Sequence, residues 1–302
     1  MIPVFPDFSP LHPDHRAELE AVTSQFPPYS DFNFVSLYCW NTAGSVAISR
    51  LNDNIVVRFS DYVTGHPFYS FIGSNDPGNT AHALLERMRE EGEKPHIKLL
   101  PHDCAPGEHP AFVRTEDPDN FDYILSIERL KTYEGSQLKP NRNLATRFRK
   151  SYQSHTRQLD LQDPAVKAAL LQFFHEWAQR KGLPPDQTEN EFRAIARAFD
   201  PDIAPHLLGI AVDVDGAMAG FSIYERLPGP YAMLHFEKAD PKRCVGIYQH
   251  LMQETARVLG ESGAQFINYQ QDLGLPGLKT CKRGFHPCDH LRKVRLSWNE
   301  NL

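Results

Sequence analysis

Apolar residues recur along the chain in two rhythms. Long stretches repeat every three or four positions, as amphipathic helices do, and shorter runs are apolar at every or every second position, as strands are. Leu19, Val22 and Phe26 predict a first helix over residues 14–25 with Asp14 as its cap, and a short aromatic-rich helix follows, capped from Ser30 or Asp31. Residues 55–59 and 69–72 read as strands. Residues 79–92 read as a helix with Ala83, Leu84 and Met88 inward and Gly92 as its stop. Two more strands, at 96–100 and 121–127, flank a proline-rich loop at 101–118. The pattern then returns. A basic helix is expected at 143–153, a long one at 164–180 with Phe173, Phe174 and Trp177 in the core, and another at 189–199. A meander at 207–214, 217–227 and 231–236 has Asp215-Gly216 as a two-residue turn. A helix at 246–259, a strand at 266–269 and a last strand at 292–298 complete the series. Two domains, residues 1–130 and 131–302, suit a chain of 302 residues.

Composition narrows the class. At 41% hydrophobic and 23% charged, the chain has the makeup of a folded globular protein. Its longest apolar runs, such as 207–212, fall well short of the roughly 20 residues a bilayer crossing takes. Prolines and acids stand at the N-terminus where an export signal needs cations and an apolar core, which predicts a cytoplasmic location. Five cysteines (39, 104, 244, 281 and 288) without a CxxC pair suit reduced thiols. Cys281, His286, Cys288 and His290 lack the tight paired spacing of zinc sites, so no metal is expected.

Net charge is −6, but its distribution is uneven. Residues 139–157 hold six cations and no acid, and residues 279–295 hold six cations against Asp289 alone. A local basic surface on an acidic body attracts polyanions, because local potential outweighs the sum. A solvated helix face and a charged last strand would explain the same runs.

The segment NYQQDLGLPGLKTCKRGFHP, residues 268–287, combines an acid–amide cluster, three glycines, three cations and a terminal His-Pro. Such a mixture suits a loop that brings backbone close to a polar, anionic ligand. Upstream, PKRCVGIY follows the meander and opens a helix. Its Arg243-x-x-Gly246-x-Tyr248 spacing resembles the R/Q-x-x-G-x-G/A loop with which GNAT acyltransferases hold the pyrophosphate of coenzyme A. Tyr248 is bulky where that loop ends on a small residue, which weakens the acyl-CoA reading.

Four segments together, SDFNFVSLYCW (30–40), RNLATRFRK (142–150), LHFEKAD (234–240) and YQQDLGLPGLKTCKRGFHP (269–287), resemble the phosphatidylglycerol lysyltransferase C-terminal-like family. The resemblance implies an α/β (α+β) fold of two tandem GNAT-like domains, each a mixed, mostly antiparallel sheet flanked by helices, with the chemistry in the C-terminal one. Membrane-bound relatives move an aminoacyl group from aminoacyl-tRNA to a lipid headgroup, and soluble relatives lack the transmembrane half. The implied donor is aminoacyl-tRNA, with no tightly bound cofactor, and the acceptor is an amine or hydroxyl of a small molecule, peptide or lipid headgroup. Acyl-CoA is the alternative donor, and a non-catalytic metabolite-binding module is the alternative class. Gly284-Phe285 stands where many relatives carry Ser-Tyr.

Aminoacyl transfer needs a neutral amine, a polarised ester carbonyl and a proton for the leaving hydroxyl. Glu237 and Asp240, at a central strand end, are candidates to meet the amine, unless they pair with Lys238 or Lys242. Asp272 is the preferred amine-binding acid, unless it caps its own loop. Tyr248 is the candidate proton donor, or else a plug in an emptied coenzyme slot. Asn268, Gln271, Arg243 and Gly246 complete the substrate-binding set, with Asn268 able to hydrogen-bond a carbonyl. Arg142, Arg147, Lys150, Lys279, Lys282 and Arg283 are the expected tRNA phosphate contacts.

Overall fold

The computed structural model describes residues 1–61 and 65–299. Its chain forms two compact units, one of Met1–Asp122 with Leu291–Leu302 and the other of Tyr123–His290.

The first unit runs β1 (Ser9–Pro10), α1 (Arg16–Thr23), α2 (Phe34–Trp40), β2 (Ala47–Leu51), β3 (Asn54–Ser60), β4 (Pro67–Ile72), α3 (Pro77–Glu90), β5 (His96–Pro101) and β6 (Phe112–Glu116). Asn33, rather than Ser30 or Asp31, caps α2, its side chain accepting from the Ser36 N–H at 2.8 Å. The second unit runs β7 (Asp122–Ser126), α4 (Ile127–Thr132), α5 (Lys139–Ser151), β8 (Ser154–Gln158), α6 (Pro164–Lys181), α7 (Pro185–Arg197), β9 (Leu208–Val214), β10 (Ala217–Arg226), β11 (Tyr231–Ala239), α8 (Ile247–Glu261), β12 (Phe266–Asn268), α9 (Pro276–Arg283) and β13 (Asp289–Leu291). The last strand, β14 (Lys293–Trp298), does not stay with the second unit. It lies between β5 and β6, in the sheet β1-β2-β3-β4-β5-β14-β6. Strand β7, expected to close the N-terminal domain, instead pairs with β12 in the sheet β13-β7-β12-β11-β10-β9-β8.

A buried ionic cluster fixes β14 in place. Lys293 is fully buried, and its ammonium donates to Asp122 at 2.8 Å and pairs with Asp31. Asp122 also accepts from the backbone and hydroxyl of Ser30, at 2.7 and 2.6 Å. Removing one partner of such a cluster strands the others' charge away from water. Lys293→Met should therefore destabilise the protein by about 3–5 kcal/mol, measured by urea denaturation. A loss near zero would show that water reaches the two carboxylates.

In the second unit β8 to β11 pair antiparallel in succession, and β11 runs parallel to β12. Helix α8 packs on this sheet with Ile247, Leu251, Met252, Ala256 and Leu259 buried. One irregularity positions Glu237. The β10–β11 register shifts so that Ile223 faces Phe236 while Tyr224 faces Leu234, leaving His235 as an extra residue. Beyond this bulge Glu237 pairs with Ser222, whose hydroxyl bonds the Thr255 hydroxyl of α8 at 2.7 Å. Lys238 points the other way, 4.7 Å from the Trp177 ring centre on α6. The bulge thus sets Glu237 on the α8 side, which strict alternation from Leu234 denies it.

Candidate functional site

Strands β11 and β12 pair from Tyr231–Phe266 to Met233–Asn268 and then part, because β12 ends while β11 runs on to Ala239. The Gln270 side chain donates across the first step of the gap to the Leu234 carbonyl, at 2.8 Å. Beyond it, Glu237 from β11 meets Tyr269 from the end of β12, the tyrosine hydroxyl donating to Glu237 Oε2 at 2.7 Å. Glu237 Oε1 is sealed from solvent without a hydrogen-bond partner. Burial pushes the Glu237 carboxyl up to about 7, against the Tyr269 hydrogen bond and the nearby Lys282 and Lys238 charges. A carboxyl balanced there exchanges protons near neutrality, as a general acid–base group must.

Tyr248, in the first turn of α8, packs against the same core, and burial followed by the Glu237 charge raises its pKa. It remains a protonated donor at neutral pH. From α9, the Lys282 ammonium donates to the Tyr269 carbonyl and lies 4.2 Å from the centre of its ring, and Cys281 Sγ is 3.9 Å from its hydroxyl. Glu237, Tyr269, Tyr248 and α9 therefore converge where β11 and β12 part.

Two carboxylates proposed for this site are held elsewhere. Asp272 is fully buried and accepts from the Tyr123 hydroxyl and, at 2.8 Å, from the Gly274 N–H. That is the loop-capping role. Asp240 accepts from the N–H groups of Lys242 and Arg243, at 3.1 and 3.2 Å, and pairs with Arg180 at 2.7 Å. It shapes the turn into α8. Asn268 is buried and accepts from the Gln270 N–H at 2.7 Å, a strand-end role, and Gln271 beside it is half-buried.

The Arg243–Gly246 loop has an unexpected neighbour. Arg243 donates to the carbonyls of Met218 and Val214, at 3.2 and 3.0 Å. Gly246 caps α8 with φ of +86°, and a Cβ there would lie 2.2 Å from the Leu144 carbonyl of α5. The missing side chain at Gly246 makes room for a helix crossing.

The second basic run is largely committed to the fold. Lys282 is buried, Lys279 is half-buried, and the Arg283 side chain bonds Tyr123. Arg292 pairs with Glu116, and Arg295 with Asp117 at 2.8 Å. On α5, Arg142 donates to the Tyr133 carbonyl at 2.7 Å and Arg149 to Gln253. Arg147 and Lys150 are exposed and share one face of α5 with Asn143, Thr146 and Ser151.

A family model described as phosphatidylglycerol lysyltransferase, C-terminal, matches residues 23–294. The chain belongs to this family. Similarity to solved structures extends over both units. A conserved protein of unknown function from Bacteroides thetaiotaomicron is 24% identical with a TM-score of 0.82, covering 99% of this chain and 100% of that one. L-PGS from Bacillus licheniformis is 16% identical with a TM-score of 0.62, over 100% and 95%. FemX is 10% identical with a TM-score of 0.55, over 96% and 95%. No curated protein matches. The family's architecture is the one found here, two mixed sheets flanked by helices in tandem GNAT-like arrangement. Among the described residues no helix is long and apolar enough to cross a membrane.

Within that family frame, sequence reasoning passed over Tyr269. Its signal was its position, the last apolar residue of a short strand immediately before the Gln-Gln-Asp cluster. The segment 268–287, read as a loop, contains the helix α9, whose proline at the first turn is a start signal rather than a break.

Proposed function

We propose that the protein transfers an aminoacyl group from aminoacyl-tRNA to an amine or hydroxyl acceptor, with Glu237 as the proton-handling group. The observation that carries this reading is the sealed, unpartnered Oε1 of Glu237 at the mouth of the parted strands, with its partner Oε2 held by Tyr269. The acceptor nitrogen or oxygen bonds to the ester carbonyl carbon, and the bond from that carbon to the tRNA ribose oxygen breaks. Glu237 takes the acceptor's proton and returns it to the departing ribose hydroxyl. Tyr269 holds the carboxyl in position, and Tyr248 supplies a protonated hydroxyl beside it. Holding the reactants together contributes on the order of 7–11 kcal/mol, so an ordinary base suffices for the rest.

What supports the donor assignment is the exposed cations of α5 and the close approach of the Leu144 carbonyl at Gly246, which leaves that glycine a packing role. Incubation with radiolabelled aminoacyl-tRNA pools should give RNase-sensitive transfer. Absence of both turnover and binding with every aminoacyl group would overturn the reading. Acetyl-CoA at millimolar concentration should leave the melting temperature unchanged, and a clear rise would favour an acyl-CoA donor instead. Changing Arg147 and Lys150 together to Gln should weaken tRNA binding and reduce the slope of log affinity against log salt by roughly 1.5–2. An unchanged slope would remove α5 from the interface.

A further inference from the structure

His235 and Lys238, three residues apart on β11, present their side chains to the same face of the sheet, which a regular strand permits only at even separations. The neighbouring strand shows this. Phe221, Ile223 and Glu225 alternate along one face of β10, the face on which Phe221 meets Phe173 of α6 with ring centres 5.8 Å apart. Across from them, His235 Nε2 lies 3.4 Å from Glu225, Phe236 stands opposite Ile223, and Lys238 stands opposite Phe221. Both polar side chains are anchored there. The His235 and Glu225 side chains are only 1% and 4% exposed. The Lys238 ammonium is 2.7 Å from Glu191 of α7 and lies over the Trp177 and Phe174 rings of α6, at 4.7 and 5.9 Å.

We propose that Lys238 is the positioning residue for Glu237: anchored by Glu191 and Trp177, it traps the extra residue of the bulge and keeps Glu237 on the α8 side. His235 fixes the register before the bulge and Lys238 the register after it, so the strand cannot relax to plain alternation. Relaxation would carry Phe236 and Lys238 to the α8 side and Glu237 to the α6 side. The apolar core under α8 accepts a phenyl ring, but an ammonium buried there without a partner is costly. Lys238 therefore separates the two registers. Its charge works against burial, lowering the Glu237 pKa. The inference rests on the reading of Glu237 as the proton-handling group, but its test reads ionisation rather than transfer and so fails separately.

The test compares each background with its Glu237→Gln version by urea denaturation across pH 4–9. In the wild type the stability difference should grow between pH 4.5 and about 7, as Glu237 ionises in its buried place. In a Lys238→Ala background Glu237 should leave that place, its folded-state midpoint falling toward 4.5, and the difference should become flat. A Lys238 that acted through charge alone would, on removal, shift the midpoint the opposite way, above 7. Trp177→Ala gives a second readout that changes no charge, and the midpoint should fall there too. Lys238→Arg can keep both the ion pair and the ring contact and should retain the wild-type curve. The titratable and charged groups facing Glu237 (Tyr133, Tyr248, Tyr269, Cys281 and Lys282) are the same in every background. A midpoint at or above 7 in Lys238→Ala, or an unchanged one in Trp177→Ala, would overturn the proposal. A difference already flat in the wild type would overturn it together with the reading of Glu237.

Discussion

Replacing Glu237 with Gln is expected to slow transfer by about 10²–10⁴-fold while making the protein more stable above pH 7. The two effects have one cause. Burial raises the Glu237 pKa from 4.5 to about 7, so ionising it in the folded protein costs about 3 kcal/mol more than in the unfolded chain. The sign follows from linkage. The folded pKa lies above the unfolded one, so the penalty is absent below pH 4.5, grows between 4.5 and 7, and is complete above 7. Glutamine cannot ionise and escapes it. His250 tilts the wild-type curve the other way. Buried against Phe148, with their ring centres 4.6 Å apart, it has its pKa pushed down to about 4, so its contribution is full above pH 6.5 and fades as pH falls toward 4. The informative quantity is therefore the difference between Glu237→Gln and wild type in urea denaturation across pH 4–8. A difference that stays flat with pH would mean that Glu237 is solvated and that its assignment to proton transfer lacks its physical basis.

Gly246→Ala tests whether this glycine serves a helix crossing. The new methyl carbon would stand 2.2 Å from the Leu144 carbonyl, on a backbone held at φ of +86°. Strain from the left-handed conformation accounts for about 1–2 kcal/mol, and forcing α5 off α8 adds about 1–3 kcal/mol of overpacking. A loss of about 2–5 kcal/mol in urea denaturation is expected. If α5 shifts, its face carrying Arg147 and Lys150 shifts too, so under the proposed function tRNA binding should weaken alongside stability. Near wild-type stability combined with altered acetyl-CoA binding would instead mark Gly246 as a phosphate-loop glycine. That result would revive the acyl-CoA reading.

Local pattern determined much of this protein. The meander, the Asp215-Gly216 turn, α6 and α8 are legible because each is stabilised by interactions within a few residues, and periodicity and turn chemistry record those directly. The resemblance carried by segments 30–40, 142–150, 234–240 and 269–287 likewise named the family that the match over residues 23–294 shows. Glu237 was legible as a carboxylate at the end of a central strand.

Tertiary structure alone decided the rest. Strand β14 reads the same wherever it pairs; only the buried cluster of Lys293, Asp31 and Asp122 assigns it to the first unit's sheet, through charges far apart in sequence. The cations of residues 279–295 look alike on paper, yet long-range pairing commits Lys282 and Lys293 to the interior. Gly246 fits a phosphate loop in sequence, and the Leu144 carbonyl of a distant helix gives it another reason to exist. Glu237 acquired its place from a bulge that no strand pattern announces and its raised pKa from burial there, against the lowering pull of the Tyr269 hydrogen bond. Desolvation and ion pairing depend on what surrounds a side chain in space, and a chain read in order does not contain that information.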